Sequence, residues 1–218
     1  MQIEVIGVYD IGLLIISIMV AIVSSFVAFS TVSRIAKATD ARSRYLWSAL
    51  FGFSFGVGVW GMHFIGMLAF QLPLKVTYDL PLTILSLLVV VLASGVTGLF
   101  ITKDKSIRGL RHMMLSVVLG LSIASMHYIG MAAMIVDASM QHNHWVAWAS
   151  VVVAIVVSAF GLSFLEEVKL SYTFGKLKYK IPIALLMGMA ISSMHYTAMA
   201  GVSFFSMSSM GIGSAGLP

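Results

Sequence analysis

A chain of 218 residues with 60% hydrophobic and 10% charged side chains, and a mean hydropathy of +1.02, is excluded from ordinary soluble domains. Its formal net charge of +5 sits between apolar runs without any stacking or groove-reading module, which excludes nucleic acid as the partner. With no cysteine, disulfides and thiolate metal ligands are excluded as well.

Crossing a hydrocarbon core of roughly 30 Å takes a helix of about 20 apolar residues. Six runs of that kind follow in order, near residues 10 to 31, 45 to 70, 79 to 102, 112 to 136, 145 to 166 and 181 to 206. The first is preceded only by the acidic Glu4 and Asp10 and suits a retained span rather than a cleavable signal peptide. Barrel-type alternation is absent, so backbone hydrogen bonds must close within helices. The expected fold is an all-α integral membrane protein with six transmembrane helices in this chain, in contact with the lipid bilayer.

The connections fix an expected orientation. Arg34, Lys37, Arg42 and Arg44 lie between the first and second spans. Lys103, Lys105, Arg108 and Arg111 lie between the third and fourth, and Lys169, Lys176, Lys178 and Lys180 between the fifth and sixth. The opposite side holds only Lys75, so 12 of 13 basic residues mark one face, which the positive-inside rule makes cytoplasmic with the amino terminus outside. The other face, with Glu4, Asp10, Asp79 and Asp137, is mildly acidic and favours approach of cations, weakly at physiological salt.

The second, fourth and sixth spans carry one phrase three times: Met62-His63-Phe64-Ile65-Gly66-Met67, Met126-His127-Tyr128-Ile129-Gly130-Met131 and Met194-His195-Tyr196-Thr197-Ala198-Met199. The histidines are spaced by 64 and 68 residues, which suggests a repeated helix pair whose first helix bears the motif. Small residues recur in register at Gly56, Gly120 and Gly188, and at Gly66, Gly130 and Ala198, as expected where membrane helices approach closely. The third pair lacks its return helix in chain order. The expectation is a domain over 1–206 with a Gly/Ser-rich tail over 207–218, truncated before a seventh helix.

An imidazole inside an apolar span is costly without a partner and marks a functional site. On a helix, i and i+4 share a face, so His63 with Met67, His127 with Met131 and His195 with Met199 have ligand spacing. Met62, Met126 and Met194 are turned by roughly 100° from their histidines and are second-choice ligands or packing. Counted from the expected inner helix ends, the histidines lie 18, 15 and 14 residues along, which places all three in one outer layer. Imidazole with thioether selects copper, Cu(I) above all. Zinc more often brings Cys or carboxylate. Haem is the rival, although three equivalent histidines leave one over in axial pairs. Any single Met pair reads as packing, since the chain has 16 methionines; the triple register is what argues for a site. No nucleophile with a base stands at catalytic spacing, so this segment is not expected to be an enzyme. Tyr128 and Tyr196 read as interfacial aromatics, His142 and His144 as an outer loop with weak metal capture, His112 as interfacial, and Glu166 and Glu167 as solvated.

The Met-His-Tyr phrase on alternate spans resembles the MHYT domain of bacterial membrane signalling proteins, over essentially the whole chain. The resemblance implies seven transmembrane helices and a sensor of a diatomic gas (O2, CO or NO) through copper held by the motif residues. Carried over, the implied ligands are His63, Met67, His127, Met131, His195 and Met199, with Met62, Met126 and Met194 at the motif's first position. Phe64 departs from the family's tyrosine and Ala198 from its glycine. It also implies a bacterial inner (plasma) membrane location and a cytoplasmic effector domain, such as GGDEF or EAL acting on cyclic di-GMP, absent from this chain; a homodimer stays open. The alternatives are a copper transporter or permease, disfavoured because the ligands share one depth and no proline interrupts a motif helix, and a haem-binding membrane cytochrome.

Overall fold

The computed structural model describes residues 2–101, 107–170 and 176–207; Lys103, Lys105 and residues 208–218 of the tail lie outside them. Six helices are present among the described residues: α1 (Ile11–Lys37), α2 (Ala41–Ala69), α3 (Leu80–Leu99), α4 (Gly109–Ala132), α5 (His144–Leu170) and α6 (Leu177–Met199). All six are long and apolar enough to cross a membrane, as expected. Four of the six start at a side-chain cap, whereas α4 and α6, after Arg108 and Lys176, have none. The carboxylates of Asp10, Asp40 and Asp79 accept the N–H groups of Leu13, Ser43 and Leu82, and Asn143 Oδ1 accepts those of Trp145 and Val146.

Short strands close one end of the bundle: β1 (Gln2–Val5), β2 (Val8–Tyr9), β3 (Phe70–Gln71), β4 (Val76–Tyr78), β5 (Met134–Val136), β6 (Ser139–His142) and β7 (Val202–Met207). They pair antiparallel as β1-β7-β6, β2-β3 and β4-β5. The sixth span therefore ends at Met199, earlier than the expected 206. The chain turns at Ala200 and Gly201, whose N–H groups donate to the Tyr196 and Ala198 carbonyls, and Phe204 of β7 turns into the core at 1% exposure. Apart from Lys75, the described basic residues sit at the other end, where the Arg34 guanidinium covers the Trp47 ring at 4.8 Å and Arg111 donates to the Phe100 carbonyl.

The helices form one ring in which the motif helices are the more buried. In the most apolar 18-residue stretch of α2, α4 and α6, 56%, 56% and 44% of residues are buried, against 28% in each of α1, α3 and α5. The motif helices are thus the core, and the others turn residues such as Ile15, Leu88, Leu92, Val156 and Phe160 outwards to lipid. Around the ring the order is α2, α3, α4, α5, α6, α1, each helix packing on its neighbours.

The ring closes through α1. Gly56 of α2 lies against Val91 of α3, Gly120 of α4 against the Ile155 backbone of α5, and Gly188 of α6 against the Ile22 backbone of α1. Val91, Ile155 and Ile22 each stand twelve residues after Asp79, Asn143 and Asp10. The strand end repeats the pattern: the N–H groups of Asp10, Asp79 and Asn143 donate to the carbonyls of Ala69, Ala133 and Gly201, each at 2.8 Å. The return helix that the third pair lacks in chain order has its spatial place taken by the first helix of the chain.

Two further expectations are corrected. Pro182 lies inside α6, because that helix starts at Leu177 rather than near 181; without an N–H, it leaves the Lys178 carbonyl short of its helical donor. It sits near the basic end, thirteen residues before His195, so the helix is regular where it carries the motif. Glu166 is buried at 4% exposure, packed among Leu165 and Val168 on the core side of α5, whereas Glu167 is exposed as expected.

Candidate metal centre

His63, His127 and His195 come from three motif helices and stand four to six residues before the helix ends at Ala69, Ala132 and Met199. Because the three helices run in the same direction and their ends are tied by equivalent backbone bonds, the imidazoles meet at one level. All three are fully buried, at 0% exposure. Their Nδ1 atoms form a triangle with edges of 3.1 Å (His63 to His195), 3.2 Å (His63 to His127) and 3.2 Å (His127 to His195).

Protons cannot satisfy that triangle. An Nδ1 atom either carries a hydrogen or offers a lone pair, never both. Around three atoms, two neighbours must be alike, so one contact at least is not a hydrogen bond. The Nε2 atoms of all three rings are buried with no hydrogen-bond partner among the described residues. A cation at the centre would use all three lone pairs at once. The point equidistant from the three nitrogens is roughly 1.8 Å from each, the edge divided by √3, against metal to imidazole distances of about 2.0–2.1 Å. Side-chain shifts of a few tenths of an ångström suffice, and the donor set fits a three-coordinate metal ion. No porphyrin fits between nitrogens so close, which argues against paired axial ligation of haem.

Small residues make the convergence possible. A Cβ on Gly130 would collide with the Nε2 of His63, and one on Gly66 with that of His195. Each of these imidazoles lies over the glycine that follows a histidine by three positions on a neighbouring motif helix.

The motif methionines separate into two layers. Met67, Met131 and Met199 join Met134 and Phe204 in an apolar cluster under the strands, on the strand side of the imidazoles. Met62, Met126 and Met194 belong to the main core. The structure thus gathers the three expected histidines into one cluster and the three i+4 methionines into another.

Tyr128 and Tyr196 are neither ligands nor free belt residues. Tyr128 Oη is 2.7 Å from Ser150 Oγ of α5, and Tyr196 Oη is 2.6 Å from Ser17 Oγ of α1. In the first copy Phe64 has no hydroxyl, and Trp60 one turn earlier donates its Nε1–H to Ser86 Oγ of α3 at 3.1 Å instead. Each motif helix is therefore latched to its outer neighbour by a serine buried at 0% exposure. These serines were not singled out from sequence, yet a signal exists: Ser17, Ser86 and Ser150 each follow Asp10, Asp79 and Asn143 by seven. His112 bridges α4 to α5 through the Ala159 carbonyl and Ser163 Oγ.

The model of the MHYT family, described as "Bacterial signalling protein N terminal repeat", matches residues 56–114 and 120–173. The chain belongs to the MHYT family. The two matched units begin at or near Gly56 and Gly120, and the third glycine in register, Gly188, packs on α1. Among curated relatives, this MHYT chain is 36% identical over 90% of its length to the bifunctional diguanylate cyclase/cyclic di-GMP phosphodiesterase MucR of Pseudomonas aeruginosa. It is 34% identical over 89% to the cyclic di-GMP phosphodiesterase NbdA of the same organism, and 28% identical over 90% to the signaling protein YkoW of Bacillus subtilis. It covers 28%, 24% and 24% of those proteins, about a quarter of their length. No solved structure matches the chain.

Proposed function

We propose that this MHYT domain is the membrane sensor of a signalling protein, holding one copper ion on His63, His127 and His195 and responding to a diatomic gas, O2, CO or NO. The observation that carries the reading is the Nδ1 triangle, whose contacts no proton arrangement satisfies and a three-coordinate cation does. Copper is preferred because the nearest apolar layer is built of thioethers, Met67, Met131 and Met199, which favour Cu(I) among the metals that imidazole binds. When bound, copper supplies an open coordination position for a small π-acceptor or oxidising gas.

The protein's own part is to hold and to shield. Gly66 and Gly130 seat two imidazoles, the serine latches fix the helices, and the methionine and Phe204 layer keeps bulk water from the nitrogens. A cavity of about 30 Å³ lies inward of the centre, lined by Ile123 and Ile191, each one helical turn before a motif histidine. Its apolar walls suit a small gas that partitions from lipid.

Twelve basic residues in the sequence connections on one side of the six spans support a bacterial inner-membrane topology with the amino terminus outside and the metal layer near the outer face. The cyclic di-GMP enzymes among the relatives support a cytoplasmic effector linked to this domain. Gas binding would act on that effector only through two helix arrangements of different gas affinity.

Purified protein loaded with copper under anaerobic conditions is expected to bind one ion per histidine triad. It should also show an infrared band of bound carbon monoxide that shifts on isotopic substitution. Loss of both in the protein carrying His63→Ala, His127→Ala and His195→Ala supports the reading. Copper binding equal in that variant overturns it.

A further inference from the structure

The buried centre leaves open how an ion reaches it, because the strands, Phe204 and the methionine layer cover it from the outer end. One side is less covered. Between the outer ends of α4 and α5 runs a groove of about 410 Å³ whose walls include Tyr128, Met140, His142, His144 and Trp148. His142 ends β6, held in register opposite Val202 of β7, and His144 opens α5. His144 is exposed, while the Nε2 of His142 is buried with no hydrogen-bond partner among the described residues.

The groove leads towards the triad. The Tyr128 ring lies 6.0 Å from that of His142 and 4.9 Å from that of His127, so one aromatic side chain separates the two imidazoles. Tyr128 Oη is held by Ser150 of α5, and His142 Nε2 makes no hydrogen bond to it.

We propose that His142 and His144, with the Met140 thioether beside them, form an outer copper-capture site from which the ion is passed to the His63, His127 and His195 centre. The donor set is two imidazoles from residues two apart and a thioether, the same chemistry as the buried layers, presented at the end that carries Asp10, Asp79 and Asp137. Transfer is ligand exchange alone: each step replaces one nitrogen or sulfur donor by another, with no change of oxidation state. The inference rests on the copper reading of the triad.

The test uses the detergent-purified protein and cuprous ion added anaerobically as its acetonitrile complex, with copper content and filling rate followed over time. The wild type is expected to take up two ions, one weakly and one tightly. His142→Ala with His144→Ala should lose the weak ion and fill the tight centre at least tenfold more slowly, to the same final occupancy. His142→Gln with His144→Gln should behave the same while retaining polar side chains, which guards against a folding defect. The triad triple alanine variant should keep the weak ion. Unchanged filling rate and stoichiometry in both double variants, with a wild type that does load copper, overturns this inference alone. A wild type that binds no copper overturns the copper reading itself, and this inference with it.

Discussion

The Nδ1 atoms of His63 and His195 lie 3.1 Å apart although 132 residues separate them in the chain. Their contact with His127 makes a closed ring of three that protons leave frustrated. Metal should therefore stabilise the fold and single ligand losses should show it. At copper a hundredfold above the dissociation constant, the wild type gains about 2.7 kcal/mol. His63→Ala, His127→Ala or His195→Ala is expected to lose nearly all of that gain in thermal unfolding. Without copper, the same variants lose the packing of the imidazole and at most two Nδ1 hydrogen bonds, since the three contacts cannot all be made.

Gly130→Ala tests the seating of the ring. The added methyl group would meet the Nε2 of His63, whose helix cannot retreat without disturbing its contacts to α3. Overpacking of that kind costs about 1–3 kcal/mol. The expected result is a comparable loss of stability and at least a tenfold drop in copper affinity, read by competition with a chelator. Ala198→Gly, in register with Gly66 and Gly130, should leave affinity within about twofold.

The fold was legible where its chemistry is periodic. Six apolar runs gave six helices, and the spacing of the motif copies placed His63, His127 and His195 in one layer, which their contacts bear out. What was not legible is closure in space. A repeat read along the chain pairs each motif helix with its successor, so α6 seems partnerless, whereas α1 occupies the place equivalent to α3 and α5. The strand Val202–Met207 was hidden because its Val and Phe residues extend the apolar count of α6 without a charge to end it. The burial of Glu166 escaped for a related reason: at a span's end, sequence alone does not tell the core side of a helix from the outer side.

That closure is itself testable. Gly188→Leu would drive a side chain into the Ile22 backbone, as Gly120→Leu would into Ile155 and Gly56→Leu into Val91. All three are expected to lower stability by about 3 kcal/mol or more, measured by thermal unfolding in detergent. A silent Gly188→Leu beside two damaging variants would show that α1 is not a full member of the ring.

The latch in the first motif copy predicts compensation. Trp60→Phe removes the donor to Ser86, which is buried, and should cost about 1 kcal/mol for the hydrogen bond with a further loss from the smaller ring. Phe64→Tyr supplies a phenol where the other copies have Tyr128 and Tyr196 bonded to Ser150 and Ser17. The double variant Trp60→Phe with Phe64→Tyr is expected to recover about half the loss or more. Equal stability of the single and double variants would mean that the serine is not the common anchor.

X-ray absorption at the copper edge, on protein loaded with one tightly bound equivalent, tests the central claim most directly. The account predicts a first shell of three imidazole nitrogens at about 2.0 Å, lost in the triad triple alanine variant. A shell dominated by oxygen or sulfur, or one unchanged in that variant, would contradict it.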